Sequence, residues 1–121
     1  NIGIMSFYKD QVAKISEDLK DPNLGALSNE DFSQIKCGTV DTLQGKEFDI
    51  VILSTTRSNN KTTAAESLGF IHYSKSRINV ALSRARRLLI IVGDMDTMGR
   101  NESFNKLIEY TKKYGFLEGA V

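Results

Sequence analysis

Apolar positions fall into short continuous runs separated by segments whose apolar residues recur at helical spacing. Ile2 to Ser6 is the first such run and predicts a strand. Tyr8 to Lys20 follows with Tyr8, Val12, Ile15 and Leu19 on one helical face, and Pro22 ends it. Asp21 to Gln34 carries no period and reads as a polar loop. Ile35 to Val40 predicts a second strand, Asp41 to Gln44 a single turn with capping-box spacing, and Asp49 to Ser54 a buried strand. Arg57 to Glu66 is polar and irregular, as surface loops are. Ser74 or Ser76 can cap a helix running to Ala85, and Leu88 to Val92 predicts another buried strand. Asn101 to Tyr114 is amphipathic, with Phe104, Leu107, Ile108 and Thr111 inward and Gly115 at its end. Strands alternating with helices predict an α/β fold: a mainly parallel sheet with helices on both faces.

Composition narrows the picture. The chain has 121 residues, 40% hydrophobic and 26% charged, enough for one domain with a real core. Net charge is +1, so no strongly basic surface is visible in the totals, yet Lys75, Arg77, Arg84, Arg86 and Arg87 cluster with no acid among them. The single cysteine, Cys37, excludes an internal disulfide and, set in an apolar strand, reads as an inert thiol. His72 has no Cys or His near it in sequence, which argues against a metal role. No run approaches the ~18 apolar residues of a membrane span, and no signal peptide is apparent. A reducing, intracellular setting is the expectation.

Two charged segments carry the candidate chemistry, Thr39–Asp49 (TVDTLQGKEFD) and Ile78–Asp94 (INVALSRARRLLIIVGD), each running into an apolar strand. Thr39 and Asp41 fall at the carboxyl end of a predicted strand, where ligands bind in open α/β sheets. On the predicted helix, Ile78, Leu82 and Ala85 share the inward face, while Arg77 and Arg84 stack on a more exposed one. An arginine held there is always charged and can grip two phosphate oxygens at once. Taken by charge alone, the same arginines could be a solvated helix face, Asp41 a cap and Glu47 a surface acid. A complete phosphate-binding loop is missing: Gly45-Lys46 is followed by Glu47, and no strand ends in paired Asp-Glu for magnesium. The chain opens at Asn1 in an apolar run, so the expectation is one domain, residues 1–121, of a longer protein, inactive toward ATP alone.

These two segments resemble motifs V and VI of the superfamily 1 helicases, most closely the Upf1-like branch. The start of the chain, IGIMSFYKDQ, is similar to motif IV, although Phe7 stands where that motif commonly has proline. The resemblance implies a RecA-like second motor domain: a three-layer α/β fold covering nearly the whole chain. It implies that Arg84, after Ser83, is the arginine finger, and that Gly45 and Glu47 approach the nucleotide. By the same likeness Thr39, Asp41, Ser6 and Arg57 line the path of a single strand of DNA or RNA. ATP and Mg²⁺ would be held mainly by an amino-terminal RecA-like partner domain, with no membrane involved. The alternative is a nucleic-acid-binding or scaffold module that kept this fold without completing an ATP site.

Overall fold

The computed structural model describes residues 1–24, 28–57 and 59–119. Four strands, β1 (Ile2–Ser6), β2 (Ile35–Thr39), β3 (Phe48–Ser54) and β4 (Ala85–Val92), form one sheet in the order β2-β1-β3-β4. Every pairing is parallel. The α/β class and the parallel sheet are as the hydrophobic pattern predicts.

Strand alternation gives the sheet two different faces. Met5, Val51 and Leu53 point to one side and are fully buried with Leu68, Ile71, Ile78, Ala81, Met98 and Phe104. Large side chains buried this way contribute roughly 1.5–3 kcal/mol each over leaving them in water. The opposite face, from Ile4, Ile52 and Cys37, takes helix α1 (Lys9–Leu19) across β1 and β2. Gln11 of that helix donates to Ser54 Oγ at 3.4 Å. Burial raises the Cys37 thiol pKa, against a hydrogen bond from Ser16 that lowers it, so the thiol is protonated and unreactive near neutrality. Helix α1 stops short of the last strand. Leu88, Ile90 and Val92 alternate along edge strand β4 on that same face, at 49%, 39% and 56% exposure.

Several boundaries differ from the sequence pattern for local reasons. Within the expected loop at Asp21–Gln34, Pro22–Leu24 forms a 3₁₀ turn and α2 (Asn29–Ser33) one helical turn. Ser28 caps α2 by accepting from Asp31 N, but five residues are too few for a period to register. Helix α3 (Ala64–Leu68) begins inside the other expected loop, with Thr63 accepting from Glu66 N, and a 3₁₀ turn at Gly69–Tyr73 follows. The largest correction concerns α4 (Lys75–Leu82), which holds Arg77 but ends before Arg84, Arg86 and Arg87 rather than at Ala85. Ala85 pairs with Phe48, and Arg86 Nε reaches Asp49 Oδ1 at 3.1 Å, so sheet pairing claims residues that helical spacing had assigned to the helix. Its inward residues are therefore Ile78 and Ala81, with Leu82 only half-buried. Short α5 (Met95–Met98) and α6 (Glu102–Tyr114) close the fold, capped by the side chains of Asp94 and Asn101.

Candidate functional site

Ser6 and Thr39 end neighbouring strands in register, and Arg57 follows the end of β3. Ser6 is fully buried; its Oγ lies 3.2 Å from Thr56 Oγ1 and accepts from Tyr8 N at 3.3 Å. Thr56 has φ 68°, a left-handed conformation that a β-branched residue adopts only when its surroundings impose it. Such strain concentrates at functional sites. It turns the chain so that Arg57 N meets Thr55 O at 2.7 Å and Arg57 Nη2 donates to Glu66 O at 3.2 Å. Gly69, also at positive φ, leaves room for that guanidinium, which a Cβ would approach to 3.3 Å. Tyr8, Thr56, Arg57, Asn59, Lys61 and Glu66 line an open cleft of about 390 Å³. Burial raises the Tyr8 phenol pKa more than Arg57 lowers it, so the hydroxyl stays protonated near neutral pH.

The turn after β2 is closed on itself. Thr39 Oγ1 accepts from Thr42 N and donates to Thr42 Oγ1, both at 3.2 Å, so the capping role belongs to Thr39 and not to Asp41. The Asp41 carboxylate is taken by Arg77, whose Nε lies 3.0 Å from each of its oxygens. Val40 and Leu43 anchor the turn in the core. Gly45 then takes φ +82° with open space where a Cβ would stand, so backbone conformation alone favours glycine. Glu47 is exposed just before β3.

Arg84 is not on an exposed helix flank. It sits between α4 and β4, half-buried, with its carbonyl accepting from Phe48 N at 3.0 Å. Glu47 and Arg84 are therefore adjacent at the amino ends of β3 and β4. The guanidinium folds back on the helix, Nε donating to Val80 O at 3.1 Å and Nη2 to Ser83 Oγ at 3.0 Å. A cation at the last turn of α4 suits the negative end of the helix dipole. Two of the five N–H donors of an arginine are used in this way.

The expected residues thus divide between opposite ends of the strands. Ser6, Thr39, Asp41 and Arg57 lie at the carboxyl ends; Glu47 and Arg84, with Gly45 leading to them, lie at the amino ends. The arginine cluster is not one solvated face, since Arg77 engages Asp41 while Arg86 and Arg87 engage Asp49. Against a desolvation cost that raises it, Arg86, the amino terminus and Arg87 together hold the Asp49 pKa below its ordinary value. Sequence reasoning missed the Asp41–Arg77 pair and the strained Thr56. The first joins two elements far apart in the chain and the second is a backbone property, so neither leaves a periodic signal. Among the described residues, no three His, Cys, Asp or Glu side chains gather as a metal site, and no helix is long and apolar enough to cross a membrane.

Comparison with known proteins adds an independent line. Residues 1–96 match the family described as the AAA domain. The chain is 37% identical to the putative helicase MOV-10 of Gallus gallus, over 98% of its own length and 12% of that protein. It is 36% identical to regulator of nonsense transcripts 1 of Dictyostelium discoideum, over 99% of the chain and 9% of the relative. The DNA replication ATP-dependent helicase/nuclease dna2 of Schizosaccharomyces pombe is also 36% identical, over 93% of the chain and 7% of the relative. The chain therefore spans between 7% and 12% of the length of these relatives.

Proposed function

The chain belongs to the AAA domain family and to the superfamily 1 helicases of the Upf1-like branch, and from that premise we propose that it is the second motor domain of an ATP-dependent nucleic-acid helicase. In this reading it works inside the cell, against an amino-terminal RecA-like domain that supplies the phosphate loop and the magnesium carboxylates. The observation that carries the reading is the separation of candidate residues to opposite ends of one sheet. Two ligands, nucleotide and strand, need two surfaces, and a shared sheet lets one rigid body respond to both.

Arg84 retains guanidinium hydrogens beyond those used by Val80 and Ser83, which suits a terminal phosphate, whereas among the described residues no cluster of three His, Cys, Asp or Glu suits the metal. When bound by the partner domain, ATP supplies the phosphoryl group transferred to water. Arg84 crosses the cleft and meets the charge that builds during transfer. Glu47, beside it, accepts hydrogen bonds from the nucleotide, and Gly45 lets the backbone pass close. At the other end Thr39 and Arg57 position a strand through its phosphates, contacts that carry no sequence information, whereas Ser6, expected in that set, is fully buried against Thr56 and Tyr8 N and can only support the turn from beneath. Asp41 stands outside that contact set, because its carboxylate is held by Arg77 and would repel a phosphate.

Two expected results test this reading. Residues 1–121 alone should show no ATP turnover and should bind oligothymidylate or oligouridylate weakly, with affinity that falls as salt rises. ATP hydrolysis by this fragment, abolished in Arg84→Ala, would refute it. In the full-length protein, Thr39→Ala should reduce strand-stimulated turnover by about threefold to tenfold, the net worth of one hydrogen bond, while Thr39→Ser keeps most of it. Titrating a single-stranded polymer into a steady-state ATPase assay gives the answer.

One observation favours a second reading. An arginine folded onto its own helix end is also what a module with a retired ATP site would carry. That module would bind a strand or scaffold other proteins without turnover, and the full-length protein would lack a Gly-Lys-Thr/Ser loop upstream.

A further inference from the structure

Asp41 and Arg77 meet where the turn after β2 approaches the first turn of α4. We infer that this ion pair is the link through which occupancy of the strand-side turn sets the position of Arg84, an inference that rests on the helicase reading above. Three features carry it. The Thr39–Thr42 hydrogen bonds and the buried Val40 and Leu43 make the turn a unit that shifts as a whole. Arg77 grips that unit through Nε, 3.0 Å from both Asp41 oxygens, and grips its own helix through Nη1, which donates to Ser74 Oγ at 3.2 Å. Helix α4 is then a single eight-residue element with no Gly or Pro to absorb movement, roughly 12 Å long at 1.5 Å per residue. Arg84 is tied to its last turn through Val80 O. A displacement at Asp41 therefore reaches Arg84 without a joint between them.

The exposure of the pair makes the idea separable from plain stability. Both side chains are about half exposed, at 46% and 56%, and ion pairs so placed add little to folding. A purely structural role would thus move neither melting nor turnover appreciably. Arg77 acts here as a positioning residue; it touches neither nucleotide nor strand.

The test uses the full-length protein, measuring ATP turnover against increasing oligothymidylate or oligouridylate. Arg77→Ala and Asp41→Ala are each expected to lower polymer-stimulated kcat about fivefold, the upper range for an exposed pair and the lower range for coupling between sites. Unstimulated turnover, polymer half-saturation and melting temperature should stay near wild type. The double variant Asp41→Arg with Arg77→Asp should recover most of the stimulation, and Arg77→Lys, which keeps the charge, should retain part of it. Full stimulation in both alanine variants overturns the inference. So does a loss that neither the swap nor lysine relieves, or a rise in half-saturation as large as the fall in kcat. If the wild-type protein shows no polymer-stimulated turnover, or Arg84→Ala leaves it intact, the helicase reading itself fails and takes the link with it.

Discussion

Arg84→Ala in the full-length protein is expected to slow ATP hydrolysis by on the order of a thousandfold or more, the range arginine fingers supply in phosphoryl transfer. Nucleotide binding should change little, because the charge Arg84 meets develops mainly in the transition state. Lysine at this position should rescue poorly. An ammonium cannot reproduce a planar fork that bonds Val80 O and Ser83 Oγ on one side while offering further hydrogens on the other. Steady-state rates with saturating single-stranded polymer, alongside equilibrium nucleotide binding, separate these effects. Undiminished stimulated turnover in the alanine variant would return Arg84 to the role of a helix-end cation.

The second large effect is on folding. Phe104→Ala in residues 1–121 should lower the unfolding free energy by roughly 3–5 kcal/mol, the cost of emptying a buried aromatic site. Among the described residues Phe104 is the largest fully buried side chain, and it joins α6 to a core shared with Met5, Leu53 and Ile78. Tyr110, on the same helix but 63% exposed, provides the control, and its alanine variant should stay within about 0.5 kcal/mol. Denaturant titrations of the two variants give both numbers. Equal midpoints would mean that α6 is not held by Phe104.

Much of this architecture was legible from hydrophobic spacing. Three of the four strands emerged nearly whole because buried parallel strands are continuous apolar runs. Strand β4 was the exception: its first turn of sequence, Ala85-Arg86-Arg87, is small and charged, and only pairing with Phe48 and Asp49 identifies it as strand. That one boundary error placed Arg84 on the wrong element. Helices of five residues were invisible for a different reason, since a single turn is fixed by its cap rather than by a period. The site was partly readable as residue types in a motif order. What the sequence could not convey was which residues sit at the same end of the sheet, because Arg84 and Glu47 come together only through the β3–β4 register. Asp41 shows the limit most clearly, for its environment is decided by an arginine on another element.

The uncovered stripe on β4 has a practical consequence for anyone handling this domain by itself. A long edge strand with an open hydrogen-bonding side, bearing Leu88, Ile90 and Val92 toward solvent, has its charges confined to Arg86 and Arg87 at one end and no proline along the apolar stripe, charge and proline being the devices that guard natural sheet edges. Purified residues 1–121 should accordingly lose solubility steeply with concentration, and a single lysine at position 90 should act as a gatekeeper that keeps the preparation clear.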